Sequence, residues 1–138
     1  MKKVLIGFLA VFVTLEILDM IIHGVILMKT YEGMQNVWRV DMMNKMWVMH
    51  IMKIVVAFFF TYIFSKGYEG KGIMEGLRYG FYVGMMMSVS FALGSYASYS
   101  IPYPLAIQWF FYALAEYLIA GVVLAMVFGK KKEAAAQG

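Results

Sequence analysis

Three ionisable residues, Glu16, Asp19 and His23, lie within one long apolar run near the start of the chain. At about 100° per residue, a helix brings them within roughly 60° of one another, so they form a stripe on one face. Carboxylates and imidazoles can carry protons or bind cations. Ionisable groups inside a bilayer are costly unless they face other helices or water. The sequence therefore predicts a protonatable face on a membrane-embedded helix.

Further ionisable residues lie in two other apolar runs of the chain. Their depth in the membrane can be estimated at about 1.5 Å per residue. This estimate predicts three matched layers, which descend from the outer end as His23 with His50, Asp19 with Lys53, and Glu16 with Glu116. The middle layer is predicted to be a structural ion pair, because an unpaired charge at that depth would cost several kcal/mol.

Glu16 and Glu116 are predicted to form a protonatable site at the midplane. Water is scarce there and the two carboxylates repel one another, so we expect them to hold at least one proton between them. Three acids, including Asp19, face Lys53 alone, which leaves two negative charges to be neutralised. Protons, a protonated histidine, a bound cation or a partner subunit could do so. A proton-coupled carrier of cations needs such a site.

Two cofactor hypotheses use the histidines and methionines. His23 and His50, at equal depth on neighbouring helices, could ligate a haem b from both faces. Met46, Met49 and His50 share a helical face, and thioether with imidazole suits Cu(I). However, methionine is also a flexible apolar filler, and this chain has 14 of them. Haem b and copper therefore remain alternatives, and no cofactor is predicted outright.

Composition excludes several classes of protein. Of the 138 residues, 63% are apolar and 14% are charged, which is far from the balance of a soluble domain. The chain has no cysteine, which excludes disulfides, thiol nucleophiles and iron–sulfur ligation. The net charge of +4 comes from lysines at the ends of apolar runs, which favours a membrane surface over nucleic acid. Because no catalytic motif is evident, we expect no enzymatic activity and assign no catalytic residue.

Four apolar runs are each long enough to cross a bilayer, which takes about 20 residues. We expect a single-domain, all-α integral membrane bundle of four transmembrane helices, with spans at about 4–28, 46–65, 77–98 and 105–128 and a basic, disordered tail at 129–138. Basic residues concentrate at one end of these spans, so both termini are predicted to be cytoplasmic.

Two features outside the polar layers are predicted to matter for packing and for the outer surface. Gly76, Gly80 and Gly84 form a stripe of small residues that lets helices approach closely. We favour internal packing of this stripe against the first or second span over a homodimer face. The longest connection, 29–45, carries Trp38 and Arg39 and is predicted to lie on the outer membrane surface.

Several short motifs are distributed over most of the chain: Asp19…His23-Gly24-Val25, Tyr31-Glu32, Trp38-Arg39, Gly94-Ser95-Tyr96, Ile101-Pro102, Leu105-Ala106, Trp109-Phe110, Glu116 and Gly121. In these motifs the chain resembles a group of small bacterial four-helix membrane proteins of unknown function. The resemblance implies a multi-pass protein of the bacterial inner membrane. It also implies that any shared role lies in the outer half, with Asp19, His23, Trp38, Arg39 and Glu116, but it supplies no activity.

Three functions fit these observations. We favour a small non-enzymatic membrane protein that works as a homo-oligomer or as an accessory subunit of a larger membrane complex. The second is a proton- or cation-coupled carrier that uses the midplane carboxylates. The third is a haem- or copper-binding membrane protein.

Overall fold

The computed structural model of the chain describes residues 1–129 and is helical throughout that range, apart from short connections. The helices are α1 (Lys2–Ile21), α2 (Met28–Glu32), α3 (Met46–Gly67), α4 (Ile73–Ser98) and α5 (Tyr103–Phe128). The all-α prediction is confirmed. The disordered tail predicted at 129–138 lies outside the described residues from residue 130 onward.

Three stretches are long and apolar enough to cross a membrane: Lys2–Ile26, Met42–Gly67 and Tyr103–Phe128. They agree with the first, second and last predicted spans, so the membrane class of the protein is supported. Helix α4 is as long as α5, at 26 residues, but is not among these three stretches. Its glycines and serines, together with Glu75 and Arg78, make it less apolar than its neighbours. Composition therefore does not confirm the fourth span.

Helix α1 does not simply stop at Ile21. A π-helical turn, Ile22–Ile26, extends it, and the N–H of Leu27 donates to the carbonyl of Ile22 at 2.8 Å. Such a turn contains one residue more than an α-helical turn, so it rotates the side chains that follow it. Short π-helical segments of this kind are frequent at functional sites. The rotation matters here because His23 lies inside the turn.

Helix α1 packs against α3 and α5, whereas α4 packs chiefly against α5. The glycine stripe forms the second of these contacts. A Cβ added at Gly76 would collide with the carbonyl oxygen of Gly121, and one added at Gly80 would collide with that of Tyr117. At Gly84 the added Cβ would lie 2.9 Å from the Cβ of Tyr117. The backbones of α4 and α5 therefore touch, as small residues allow.

This contact corrects two expectations about the glycine stripe. The stripe packs inside the chain, as favoured, but its partner is the last span, not the first or second. Because all three glycines, at positions 76, 80 and 84, are buried against α5, they are not available as a homodimer face. The spacing of the glycines could not predict the partner helix, because it does not indicate which helices are neighbours.

The two ends of the helices differ in character. At one end, Lys3 Nζ donates to the carbonyl of Phe128 at 2.7 Å, and the hydroxyl of Tyr68 donates to the same carbonyl at 3.2 Å. The start of α1, the end of α3 and the end of α5 therefore meet at what we call the basic end, because Lys2, Lys3 and Lys66 lie there. The opposite end, with α2 and the connection 33–45, is called the loop end.

Two apolar clusters fill the interior. The first lies toward the basic end and includes Val11, Leu15, Phe60 and Leu124. The second lies toward the loop end and includes Ile22, Leu105, Ala106 and Trp109. Burying these side chains gives the helices their apolar contact surfaces. Glu16 and Asp19 of α1 and Glu116 of α5 lie between the two clusters along their helices.

Candidate functional site

Six polar side chains form one continuous series of hydrogen bonds and ion pairs, which we call the polar chain. In order they are Tyr31, His23, Asp19, Lys53, Glu16 and His50. They come from α1, from its π-helical turn, from α2 and from α3. Most of these positions were singled out from sequence, but their order of contact was not.

Lys53 is at the centre of the polar chain. Its Nζ lies 2.5 Å from Asp19 Oδ2 and 3.4 Å from Glu16 Oε2, and its side chain is only 12% exposed. The structure brings Asp19 and Lys53 together, as the depth argument predicts. It also adds Glu16, so one ammonium group is shared between two carboxylates. Loss of Lys53 would therefore deprive two partly buried carboxylates of their shared cation, whereas loss of one carboxylate would leave Lys53 with the other.

The predicted layer of two histidines is wrong. His50 Nδ1 donates to Glu16 Oε1 at 2.8 Å, whereas His23 contacts Tyr31 and Asp19. Equal spacing from the predicted helix ends gave the wrong register, because counting residues at a constant rise does not fix the depth of one helix relative to another, and His23 lies in the π-helical turn Ile22–Ile26, where the rise differs from that of an α-helix. His50 therefore supplies Glu16 with a hydrogen-bond partner that the sequence analysis did not assign.

His23 is held from both sides of its ring. Nδ1 forms a short hydrogen bond with the hydroxyl of Tyr31, and Nε2 lies 3.4 Å from Asp19 Oδ1. The indole N–H of Trp109 donates to the same hydroxyl at 2.8 Å. Since Tyr31 accepts from Trp109, its own O–H is free to donate to Nδ1 of His23. A neutral His23 then carries its proton on Nε2, which faces Asp19.

An aromatic cap, made of Tyr31, Trp38, Phe91 and Trp109, covers the polar chain at the loop end. The rings of Tyr31 and Trp38 are 5.0 Å apart, and those of Phe91 and Trp109 are 5.1 Å apart. Trp38 also donates its indole N–H to the carbonyl of Tyr31 at 3.3 Å. Burial raises the pKa of Tyr31 to about 12, so its hydroxyl stays protonated at neutral pH.

The two residues singled out in the outer connection have different positions. Trp38 belongs to the aromatic cap, but Arg39 is exposed and pairs with Asp41 at 3.0 Å. That hydrogen bond lowers the pKa of Asp41 below its usual value. Arg39 therefore stabilises the local turn and has no contact with the polar chain among the interactions of residues 1–129.

Glu116 lies beside the polar chain without joining it. It is partly buried on α5 and interacts electrostatically with Asp19 and Lys53. Its Oε1 is buried, and no hydrogen-bond partner for it exists within the described part of the chain. The expected pairing of Glu16 with Glu116 is therefore not the pairing that the contacts show, since Glu16 bonds to His50 and Lys53. An unpartnered buried carboxyl oxygen is costly, above all when the group is ionised.

The arrangement gives little support to the haem and copper hypotheses. Both nitrogens of His23 are engaged, and His50 uses Nδ1 to bond Glu16. Met46 and Met49 are 36% and 43% exposed on α3. Within residues 1–129, no group of three or more His, Asp or Glu side chains is arranged to hold a metal ion.

Sequence reasoning missed Trp109 and Tyr31 as members of the site, although both lie in the motifs of the resemblance. A signal was present for Tyr31, because it follows His23 by eight residues and α2 turns back over the end of α1. It also missed that His50 and Lys53 repeat the three-residue spacing of Glu16 and Asp19. Two such pairs on neighbouring antiparallel helices can interlock.

Comparison of the chain with protein-family models, with curated proteins and with solved structures gave no match. The resemblance to small bacterial four-helix membrane proteins therefore remains a prediction. The function has to be argued from the polar chain and its surroundings.

Proposed function

We propose that the protein is a multi-pass protein of a bacterial inner membrane, crossing it four times with both termini in the cytoplasm. The contact between Lys3 and Phe128 supports an even number of crossings, because the start of α1 and the end of α5 are at the same end. Helix α4 pairs with α5 from Gly76 near the basic end to Tyr96 near the loop end, so it runs the same length. The lysines of the basic end favour the cytoplasmic side.

We further propose that the protein is non-enzymatic and couples proton binding to the movement of a cation. The observation that carries this proposal is the polar chain with Glu116 beside it. Glu116 is the acid of the site whose buried oxygen has no partner within the described chain, so it is the natural place for an exchangeable proton. A cation that displaces this proton would find the carboxylate of Asp19 close by.

The contacts of the site support this assignment. Lys53 lies against Asp19 and Glu16, and Nδ1 of His50 also bonds Glu16, which leaves Glu116 as the acid with an unpartnered buried oxygen within residues 1–129. A proton on Glu116 removes one negative charge from the site, which a bilayer interior favours. A monovalent cation in place of that proton leaves the net charge unchanged. Exchange of the Glu116 proton for a monovalent cation therefore has a low electrostatic cost.

The surroundings of the polar chain suggest a route. The aromatic cap covers it at the loop end, and the first apolar cluster lies between it and the basic end. His50, whose side chain is 51% exposed, is its most open member. Protons would therefore reach the site from the outer half of the membrane, past His50 on α3.

Two measurements on purified protein test the proposal. Infrared difference spectra over a pH titration should contain a protonated carboxyl band that disappears in Glu116→Gln and persists in Glu32→Gln, an exposed acid of α2. Vesicles containing the protein should release internal protons when Na⁺, K⁺ or ethidium is added outside, and Glu116→Gln should abolish that release. If the band is missing and none of the three cations causes release, the coupling proposal is wrong.

A specific observation favours the assembly hypothesis as a second candidate. The first seven residues of α3, from Met46 to Met52, are exposed on every face, including Trp47 at 59% and Met52 at 54%. In contrast, the opposite end of α3 buries Phe60 and Phe64. A helix end with so few contacts, carrying the polar His50, is suited to binding another chain.

Cross-linking tests the second candidate directly, because the chain has no cysteine. A cysteine at Met49 should be linked to a second copy or to a larger partner by a short bis-maleimide in native membranes. A cysteine at Met126, which is 59% exposed on α5, is the matched control. Under this candidate, Glu116→Gln should be tolerated, because glutamine preserves shape and hydrogen bonding. Equal linking at both positions would contradict it.

A further inference from the structure

A cavity of about 560 Å³ lies at the basic end, between the first turn of α1 and the last turns of α3. It is distant from the polar chain, from which the first apolar cluster separates it. Its wall is formed mainly by the apolar side chains of Val4, Phe58 and Phe128. Lys2, Lys3 and Lys66 also line it, and no acidic side chain does so within residues 1–129.

The lysines of the cavity differ in what they already contact. Lys3 Nζ donates to the carbonyl of Phe128 at 2.7 Å, which ties it to the end of α5. Lys66 lies over the ring of Tyr62, with Nζ 5.0 Å from the ring centre. That ring contact uses no oxygen acceptor, so the ammonium group of Lys66 keeps N–H donors for a ligand. Lys2 is exposed at the opposite rim. Two ammonium groups are thus available to a ligand between α1 and α3.

We propose that this cavity is a binding site for an anionic phospholipid. Its phosphate would lie between Lys2 and Lys66, and an acyl chain would lie along Phe58 and Val4. Basic pockets between transmembrane helices, at the headgroup level, bind anionic lipid in this way. The presence of Tyr62 supports a location at the headgroup level, because tyrosine favours the membrane–water interface. The lipid belongs to the leaflet at the basic end.

The shape of the cavity favours a lipid over a free anion. A free phosphate would use the lysines but leave the apolar wall, formed by Val4, Phe58 and Phe128, against water. Exposing that surface is unfavourable, whereas an acyl chain would cover it. Phe58 and Tyr62 are 43% and 41% exposed, so both offer contact area to a chain. The site thus offers lysines to the phosphate of a phospholipid and an apolar surface to its acyl chain.

Native mass spectrometry in mild detergent tests the proposal with dioleoylphosphatidylglycerol and dioleoylphosphatidylcholine as probes. Each lysine near a phosphate contributes about fivefold to affinity, so Lys2→Gln combined with Lys66→Gln should reduce the preference for phosphatidylglycerol by about 25-fold. Lys71→Gln, which removes a lysine outside the cavity at the same end, is the matched control. Phe58→Ala should weaken both lipids equally, because it removes contact with the acyl chain.

Several results would overturn the proposal. The first is an unchanged preference in the double variant. The second is equal binding of the two lipids to the unmodified protein. The third is stabilisation by inorganic phosphate as strong as that by phosphatidylglycerol, which would indicate a simple anion site. If the double variant does not fold, a photoactivatable phosphatidylglycerol replaces it on the unmodified protein. Labelling should then concentrate at Phe58 and Tyr62, and labelling spread evenly over the exposed helices would refute the site.

Discussion

Lys53 is the residue whose removal should affect the polar chain most. It is 12% exposed and holds Asp19 at 2.5 Å and Glu16 at 3.4 Å. We expect Lys53→Met to lower the free energy of unfolding, because two partly buried carboxylates lose their shared counter-charge. Glu16 keeps His50 as a partner, so most of the loss should come from Asp19. Breaking a buried ion pair from one side costs about 3–5 kcal/mol.

The magnitude can be refined by a double-mutant cycle with Asp19→Leu. That change alone leaves Lys53 with Glu16 as its remaining ion-pair partner among the described residues, so it should cost less than Lys53→Met. The double variant removes both charges and replaces them with apolar side chains, so its stability should approach that of the unmodified protein. When the double variant costs almost nothing, the coupling energy equals the sum of the two single costs, so we expect it to be at least as large as the cost of Lys53→Met alone, about 3–5 kcal/mol.

The assay is reversible unfolding in mixed micelles, followed by tryptophan fluorescence. Lys45→Met is the matched control, because Lys45 lies 3.9 Å from Asp41 in an exposed pair and should have no measurable effect. If the costs of the two single variants simply add in the double variant, Asp19 and Lys53 are not coupled. The polar chain as described would then be wrong at its centre.

Two other predictions concern packing and topology. Gly76→Ala should destabilise the protein by about 1–3 kcal/mol, because its Cβ would collide with the carbonyl of Gly121. Gly94→Ala is the control on the same helix and should not destabilise the protein, because nothing lies within 4 Å of a Cβ added there. Equal stability of the two variants in thermal unfolding would contradict the α4–α5 contact. A reporter inserted between Gly67 and Gly72 should respond as cytoplasmic and one at Asn36 as external, whereas the reverse result would invert the assignment of sides.

Helices and their approximate ends could be predicted from sequence because apolar length is a local property. The predicted spans at 4–28, 46–65 and 105–128 agree with the three apolar stretches that the structure describes. The glycine stripe was also visible, since a spacing of four residues places small side chains on one face. Its partner was not predictable, because apolar runs carry no information about which neighbour supplies the facing backbone.

The candidate site was predictable in its members but not in its pairing. Glu16, Asp19, Lys53 and Glu116 were identified because a charge inside an apolar run is exceptional. The pairing was not predictable, because the spacing of residues along one helix does not fix its rotation and depth relative to its neighbour. The π-helical turn Ile22–Ile26, which contains His23, was not predicted either. The contact of Tyr31 with His23 was missed because the sequence analysis did not place α2 against the end of α1.

The four long helices differ in how closely they pack: α4 and α5 form the tightest contact, and α1 contacts α3 and α5 to the same extent. Helices α4 and α5 touch at their backbones through Gly76 and Gly121, a contact that leaves little freedom. Helices α1 and α3 are joined by the ion pairs of Lys53. Glu116 of α5 interacts with the charges of Asp19 and Lys53. Under the proposed function, gain or loss of a proton on Glu116 would change its electrostatic interaction with Asp19 and Lys53, and thus the attraction of α5 for α1 and α3.

A coupled carrier needs a boundary between helices that can open, because the site must open toward each side of the membrane in turn. In the proposed mechanism, opening toward the basic end requires the first apolar cluster to separate. Val11 of α1 and Leu124 of α5, both fully buried, lie on opposite sides of that separation. The boundary between α1 and α5 therefore passes through both the protonatable group and the apolar barrier, so the state of Glu116 can control whether the barrier is closed.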